Sequence, residues 1–161
     1  LKIKKKFVLK SLNSFEGLPH RHEIFLKKKN CVFINDSKAT SFEATKSALK
    51  NSENIYWIVG GLPKKNDNFI FGNLKDNIIR AYIIGENTNF FKQQIKNKIK
   101  FKVAKNLRKA ISEIIKDIKI SNIGKKSILF SPASASYDQY LNFEKRGEEF
   151  KKLSKFYAKH L

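Results

Sequence analysis

Apolar runs of strand length alternate along this chain with longer segments of helical period, the pattern of an α/β domain with a mostly parallel sheet flanked by helices. Glu23 to Lys27 and Cys31 to Asn35 read as short strands joined by the polar turn Lys28-Lys29-Asn30. Ile55 to Val59, Ala81 to Ile84 and Ser127 to Phe130 read as further strands. Thr40-Ser41-Phe42-Glu43 reads as a capping box opening a helix to about Lys50. Thr88 to Ile99 predicts another helix, and Asn106 to Lys119 carries Leu107, Ala110, Ile111, Ile114, Ile115 and Ile118 at helical spacing. From Asp138 onward, Tyr140, Leu141, Phe143, Phe150, Leu153 and Phe156 predict one or two terminal helices with an aromatic inner face. Gly147 either interrupts them or permits close packing.

At 161 residues the chain fits one domain with a sizeable core. Its one cysteine, Cys31, heads the apolar run Val32-Phe33-Ile34 and is expected to be a buried thiol in a reducing compartment. The basic segment Lys2 to Lys6 is followed only by Phe7-Val8-Leu9 before Lys10, too little for a signal sequence. No apolar run approaches the ~18 residues of a membrane span, so no membrane insertion is expected. Leu1 in place of methionine leads to the expectation of a piece of a longer protein.

The formal charge of +20 raises the possibility of a polyanionic partner. All but four of the 34 basic residues are lysine, however, and they are spread along the chain instead of forming one stripe. Specific phosphate and base contacts favour arginine. Solvated surface lysine is therefore the expectation, with no specific nucleic acid.

Ligands of open α/β sheets sit outside the carboxyl ends of parallel strands, which singles out the loops Asn35 to Thr40, Gly60 to Asp67, Gly85 to Thr88 and Ser131 to Asp138. Asn35-Asp36-Ser37-Lys38-Ala39-Thr40 joins a carboxylate, an ammonium and two hydroxyls at a helix N-terminus. Taken alone, it is either an anion or nucleotide site or a strand-to-helix turn capped by Asp36 or Thr40. Gly60-Gly61 with Lys64 leaves the same choice. Ser131-Pro132-Ala133-Ser134-Ala135-Ser136 leaves room and donors for a ligand, and no histidine nearby marks a serine nucleophile. His20-Arg21-His22 has no cysteine cluster to complete a metal site. Gly124-Lys125-Lys126-Ser127 lacks the GxxxxGK[ST] spacing and enters a strand instead of leaving one, so it is not a phosphate loop.

Taken in order, Gly17-Leu18-Pro19-His20-Arg21, Ile34 to Thr40, Gly60-Gly61 with Lys64 and Asp67, Ser131 to Tyr140, and Asn142-Phe143-Glu144-Lys145-Arg146-Gly147 resemble the signatures of the D-glutamate-adding members of the Mur ligase family. The resemblance covers the chain from about residue 12 onward. It implies a Rossmann-like C-terminal domain over residues 17–161, with 1–16 as a connecting segment from a central ATPase domain. It also implies an ATP-dependent amide-bond ligase that adds D-glutamate to UDP-N-acetylmuramoyl-L-alanine in peptidoglycan synthesis. ATP and Mg2+ would be held mainly by the central domain. His20, Arg21 and Asp36 match nucleotide-contacting positions, and Lys38 a catalytic one. Lys38, Thr40, Lys64, Ser136, Tyr137 and Phe143 match substrate-binding positions, and no residue of this chain matches a metal ligand. The partners implied are D-glutamate, UDP-N-acetylmuramoyl-L-alanine, ATP and the chain's own upstream domains, in a cytoplasmic monomer. The alternatives are the third domain of another ligase of this superfamily, such as a folylpolyglutamate synthase, or a basic nucleic-acid-binding α/β module.

Overall fold

The computed structural model describes residues 3–14 and 17–161, and of Leu12 and Asn13 only the backbone. Helix α1 is Lys5–Asn13, strand β1 Glu23–Lys28, β2 Cys31–Asn35, α2 Phe42–Lys50 and β3 Ile55–Gly60. After a 3-10 turn at Gly72–Asn77 come β4 Ile78–Ile84, α3 Thr88–Ile95, β5 Phe101–Lys105, α4 Leu107–Lys119, β6 Lys126–Phe130 and α5 Phe143–Tyr157. The strands form one six-stranded sheet in the order β1-β2-β6-β3-β4-β5. β1 runs antiparallel to β2, and every other neighbouring pair is parallel.

Strand alternation divides the core into two layers. Phe33, Tyr56, Ile58, Tyr82, Ile84, Ile128 and Phe130 face α4 and α5, where Leu107, Ile111, Ile114, Phe150 and Leu153 meet them. Ile34, Ile55, Trp57, Val59, Ala81, Ile83 and Leu129 face α2 and α3 through Phe42, Leu49, Phe91 and Ile95. Both faces are covered, which is why the central strands read as continuous apolar runs. The chain steps from β2 through β3 and β4 to β5 with α2 and α3 on one face, then returns through α4 on the other to insert β6. This arrangement follows from right-handed crossovers. It leaves the carboxyl ends of β2, β6 and β3 side by side, with their loops emerging together.

The structure corrects several sequence expectations. Thr40 does not cap α2: Ser41 does, accepting from the Ala44 amide at 3.3 Å, while Asp67 from a distant loop takes the Phe42 amide at 2.8 Å. α3 ends at Ile95 instead of Ile99, because Lys96 is extended and Asn97 left-handed. β5 was not expected, since its burial is that of an edge strand with lysines on it. Of the expected aromatic inner face at the C-terminus, Phe150 and Leu153 are buried, but Leu141 and Phe156 are exposed. Gly147 does not interrupt α5, which runs through it.

The expected connecting segment contains α1, whose described side chains are exposed; 1–2 and 15–16 lie outside the described residues. Cys31 is buried, and burial pushes its thiol pKa up. Lys126 is buried with its ammonium donating to the Ile123 and Gly124 carbonyls, a strand-entry role. No helix among the described residues is long and apolar enough to cross a membrane.

Candidate functional site

The loop after β2 is held from several sides. The Asp36 amide donates to the Phe130 carbonyl at 2.8 Å, carrying the β2–β6 pairing one residue beyond the strands. Asp36 is buried, and its carboxylate accepts from the His22 amide at 3.0 Å and from the Ser131 hydroxyl at 2.6 Å. Burial pushes its pKa up, and these two donors oppose the shift only in part. Asn35 gives its side-chain oxygen to the Ser37 amide at 3.2 Å, so its NH2 faces the Nδ1 of buried His20 at 2.8 Å. Nδ1 therefore accepts, and the ring proton belongs on Nε2.

His20 and His22 both adopt left-handed backbone, φ 62° and 47°, and bracket the exposed Arg21. A hollow of about 290 Å3 opens here, bordered by Arg21, His22, Asp36, Lys38, Ala39, Ala44, Ser47 and Ala48. The larger hollow, about 880 Å3, is lined by Lys27, Lys29, Asn30, Cys31 and Lys125 among others. It lies toward the amino ends of β2 and β6, the wrong end of a parallel sheet for chemistry.

The loops after β3 and β6 are laced together. Leu62 and Ala135 exchange amide-to-carbonyl bonds at 3.0 and 2.9 Å, and the Ser134 hydroxyl donates to the Gly60 carbonyl at 2.8 Å. Gly61, at φ 138°, lies so close to this segment that a Cβ there would come within 2.5 Å of Ser134 Oγ. The same loop reaches α2 through Asp67. Both loops reach the segment after β4, where Asn87 donates to the Gly61 carbonyl at 3.0 Å and Asp138, from the loop after β6, accepts from the Glu86 amide at 3.1 Å.

The start of α5 joins this group. Ser37 Oγ donates to the Phe143 carbonyl at 2.8 Å, the Lys38 ammonium lies 3.8 Å from the Phe143 ring centroid, and the His20 ring meets that ring edge-on at 6.0 Å. Phe143 is the first residue of α5, so its amide has no partner within the helix.

The structure thus brings Lys38, Thr40, Ser136 and Phe143 onto mutually bonded segments at one end of the sheet. Lys64 and Tyr137 stand exposed on the same loops. Arg21, Asp36 and Lys38 border one hollow, but His20 does not line it; its ring is a buried support behind the loop.

Four residues that the sequence reading assigned no site role belong to the arrangement: Asn35, His22, Asp67 and Arg146. Arg146 is 1% exposed and donates from Nε to Ser37 Oγ at 3.1 Å, and from Nη2 to the carbonyls of Ser37 at 2.8 Å and Ser134 at 3.0 Å. Composition held a signal for it, because arginine is scarce in a chain so rich in lysine. No group of three or more histidine, cysteine or acidic residues suited to a metal occurs among the described residues.

No family model matches the chain. It is similar to the UDP-N-acetylmuramoylalanine--D-glutamate ligase of Rhizobium meliloti, 39% identical over 90% of the chain and 31% of that protein. The same-named proteins of Rickettsia felis, 37% identical over 99% of the chain and 35% of the protein, and of a Brugia malayi Wolbachia, 40% identical over 93% and 30%, are similar to it in the same way. The chain spans about a third of the length of these curated relatives and corresponds to their C-terminal portion. A crystal structure of MurF from Acinetobacter baumannii shares the fold, with a TM-score of 0.62 over 98% of the chain and 34% of that structure's chain, at 14% identity.

Proposed function

The chain belongs to the Mur ligase family as a counterpart of the C-terminal third of UDP-N-acetylmuramoylalanine--D-glutamate ligases, and from that premise we propose that it is the D-glutamate-receiving domain of such an enzyme. The whole reaction is the ATP-dependent joining of D-glutamate to UDP-N-acetylmuramoyl-L-alanine in the cytoplasm, with residues 1–16 connecting to the upstream domains. ATP, when bound with Mg2+ by those domains, supplies the phosphoryl group that activates the acceptor carboxylate. The D-glutamate amine then attacks the activated carbonyl and phosphate leaves.

The observation that carries this reading is the bonding of three strand-end loops and the first turn of α5 into one frame that bears Lys38, Thr40, Lys64, Ser136, Tyr137 and the Phe143 amide, which has no acceptor within the helix. An amino acid with two carboxylates needs two anion sites. A lysine with a hydroxyl and a helix-terminal amide with a hydroxyl are donors of the right kind. Thr40 with Lys64 serves one carboxylate, and Ser136 with the Phe143 amide the other. Tyr137, exposed beside Ser136, borders the substrate. Lys38, its ammonium steadied by the Phe143 ring, supports the reacting groups.

For ATP, the residues fit one wall of a site. Arg21 is exposed and available to a phosphate, and the hollow beside it accepts the edge of a nucleotide. Asp36 already serves His22 and Ser131, so it meets ribose hydroxyls through the remaining lone pairs of its oxygens.

The test is Lys64→Ala in the complete ligase. Removing an ammonium from a desolvated carboxylate costs roughly 2 to 5 kcal/mol, so the KM for D-glutamate should rise strongly while that for ATP stays near the wild-type value. Unchanged D-glutamate kinetics would remove Lys64 from the site.

A further inference from the structure

Arg146 is among the most deeply buried side chains, yet no carboxylate pairs with its guanidinium among the described residues. The guanidinium carbon lies 5.7 Å from the Phe130 ring centroid. Nη1 has no hydrogen-bond partner among the described residues, and it lies toward Gly61, where a Cβ would come within 3.3 Å of it. The other donors are all spent on two loops: Ser37 Oγ, the Ser37 carbonyl and the Ser134 carbonyl. Ser37 Oγ relays the contact to the Phe143 carbonyl at 2.8 Å. One planar group therefore spans the loop after β2, the loop after β6, the underside of Gly61 and the first turn of α5.

Burial of a guanidinium with no carboxylate bonded to it is unfavourable, and apolar residues usually fill such a place at lower cost. Burial pulls its pKa down to about 10, with Asp138 and Tyr140 opposing the shift. What arginine alone supplies here is a rigid fork with fixed spacing between its donors, together with a positive charge beneath the loops.

We propose that Arg146 is a positioning residue for the amino-acid substrate: its fork sets the spacing between the Ser37–Thr40 and Ser134–Ser136 segments, and its unpaired charge lies under the surface where the two carboxylates dock. This rests on the D-glutamate reading above. Arg146 itself does not touch the substrate; it acts through Lys38, Thr40, Ser136 and the Phe143 amide.

The experiment compares Arg146→Lys, which keeps the charge and loses the fork, with Ser37→Ala, which removes the relay and leaves the core intact. In the complete ligase, Arg146→Lys should raise the KM for D-glutamate by about tenfold or more while changing the KM for ATP by less than about threefold. Ser37→Ala should move the same constant in the same direction by less. The double variant should show less than the product of the two effects, because both break one network. Amide hydrogen exchange on the ligand-free chain gives a second readout. Lys38 and Ala135, whose amides are bonded to the carbonyls of His20 and Leu62, should exchange faster in Arg146→Lys, while Ile83 in β4 stays protected. A fall in kcat with both KM values unchanged would mark a merely structural residue and overturn the proposal, as would unaltered exchange at Lys38 and Ala135. If the wild-type ligase ignores D-glutamate, the functional reading fails, and the exchange comparison still decides whether the fork holds the loops.

Discussion

Asp36 holds the loop after β2 together and also borders the candidate site. Burial raises its folded pKa above the ordinary 3.8, so the stability linked to its protonation is full below that value and is lost as pH rises through the folded pKa. The stability advantage of the wild type over Asp36→Asn should therefore shrink as pH is raised from below 3.8, which urea unfolding at a series of pH values will show. Asp36→Ala strands the His22 amide and the Ser131 hydroxyl and should cost about 1–3 kcal/mol in the same assay at neutral pH. In the complete ligase it should also weaken ATP binding more than D-glutamate binding; the reverse order by calorimetry would exchange the roles of this loop. At this scale the sequence exposed Asp36 as a strand-end carboxylate but not its partners. Neither Ser131 nor the His22 backbone is near it in the chain, and Arg146 was hidden for the same reason: its acceptors are more than a hundred residues away at Ser37 and a helix start away at Ser134.

Among the elements, α5 and α4 are fixed to the sheet by different means. In α5, a Cβ on Gly147 would fall 2.2 Å from His20 Nδ1 and 3.1 Å from the Asn35 side-chain nitrogen, so glycine is what lets the helix approach the loop. Helix propensity favours Gly147→Ala by about 1 kcal/mol, but forced displacement of the His20–Asn35 pair costs about 1–3 kcal/mol. The expected net result is a lower thermal midpoint, and an unchanged or higher one would deny the close contact its importance. In α4, Asp117 accepts from Tyr82 at 2.5 Å, from Lys102 at 2.8 Å and from Arg80, tying the helix to β4 and β5. Burial pushes its pKa up, but these three partners outweigh burial and hold it below 3.8. Its contribution is thus present above 3.8 and lost as pH falls through the folded pKa, so Asp117→Asn should flatten the acid limb of the stability curve. The central strands and α4 were legible because burial on both faces, or on one stripe, writes itself into the residue pattern. β5 and the end of α3 were not, because an edge strand studded with lysine and a helix stopped by the backbone of Lys96 and Asn97 leave little periodic trace.

For the molecule as a whole, the two-layered core spans β1 to α5 without a break, and the chain should unfold in one cooperative transition by calorimetry; two separated transitions would contradict a single core. The strand-end loops were found by applying the carboxyl-end rule to the sequence, and their assembly into one frame came only with the strand order, which sets β6 between β2 and β3. The substrate proposed for that frame rests on the ordered motifs and not on composition, since the +20 charge on its own points toward polyanions. The chain carries no GxxxxGK[ST] segment to cradle ATP phosphates, so on this account catalysis needs the portion that its relatives carry upstream. The measurement that tests this most directly is ADP release in the presence of ATP, magnesium, UDP-N-acetylmuramoyl-L-alanine and D-glutamate, made on the chain alone and on the chain joined to that upstream portion. The account predicts no turnover from the chain alone and D-glutamate-dependent release from the joined protein. Turnover by the chain alone, or release from the joined protein that is indifferent to D-glutamate, would contradict it.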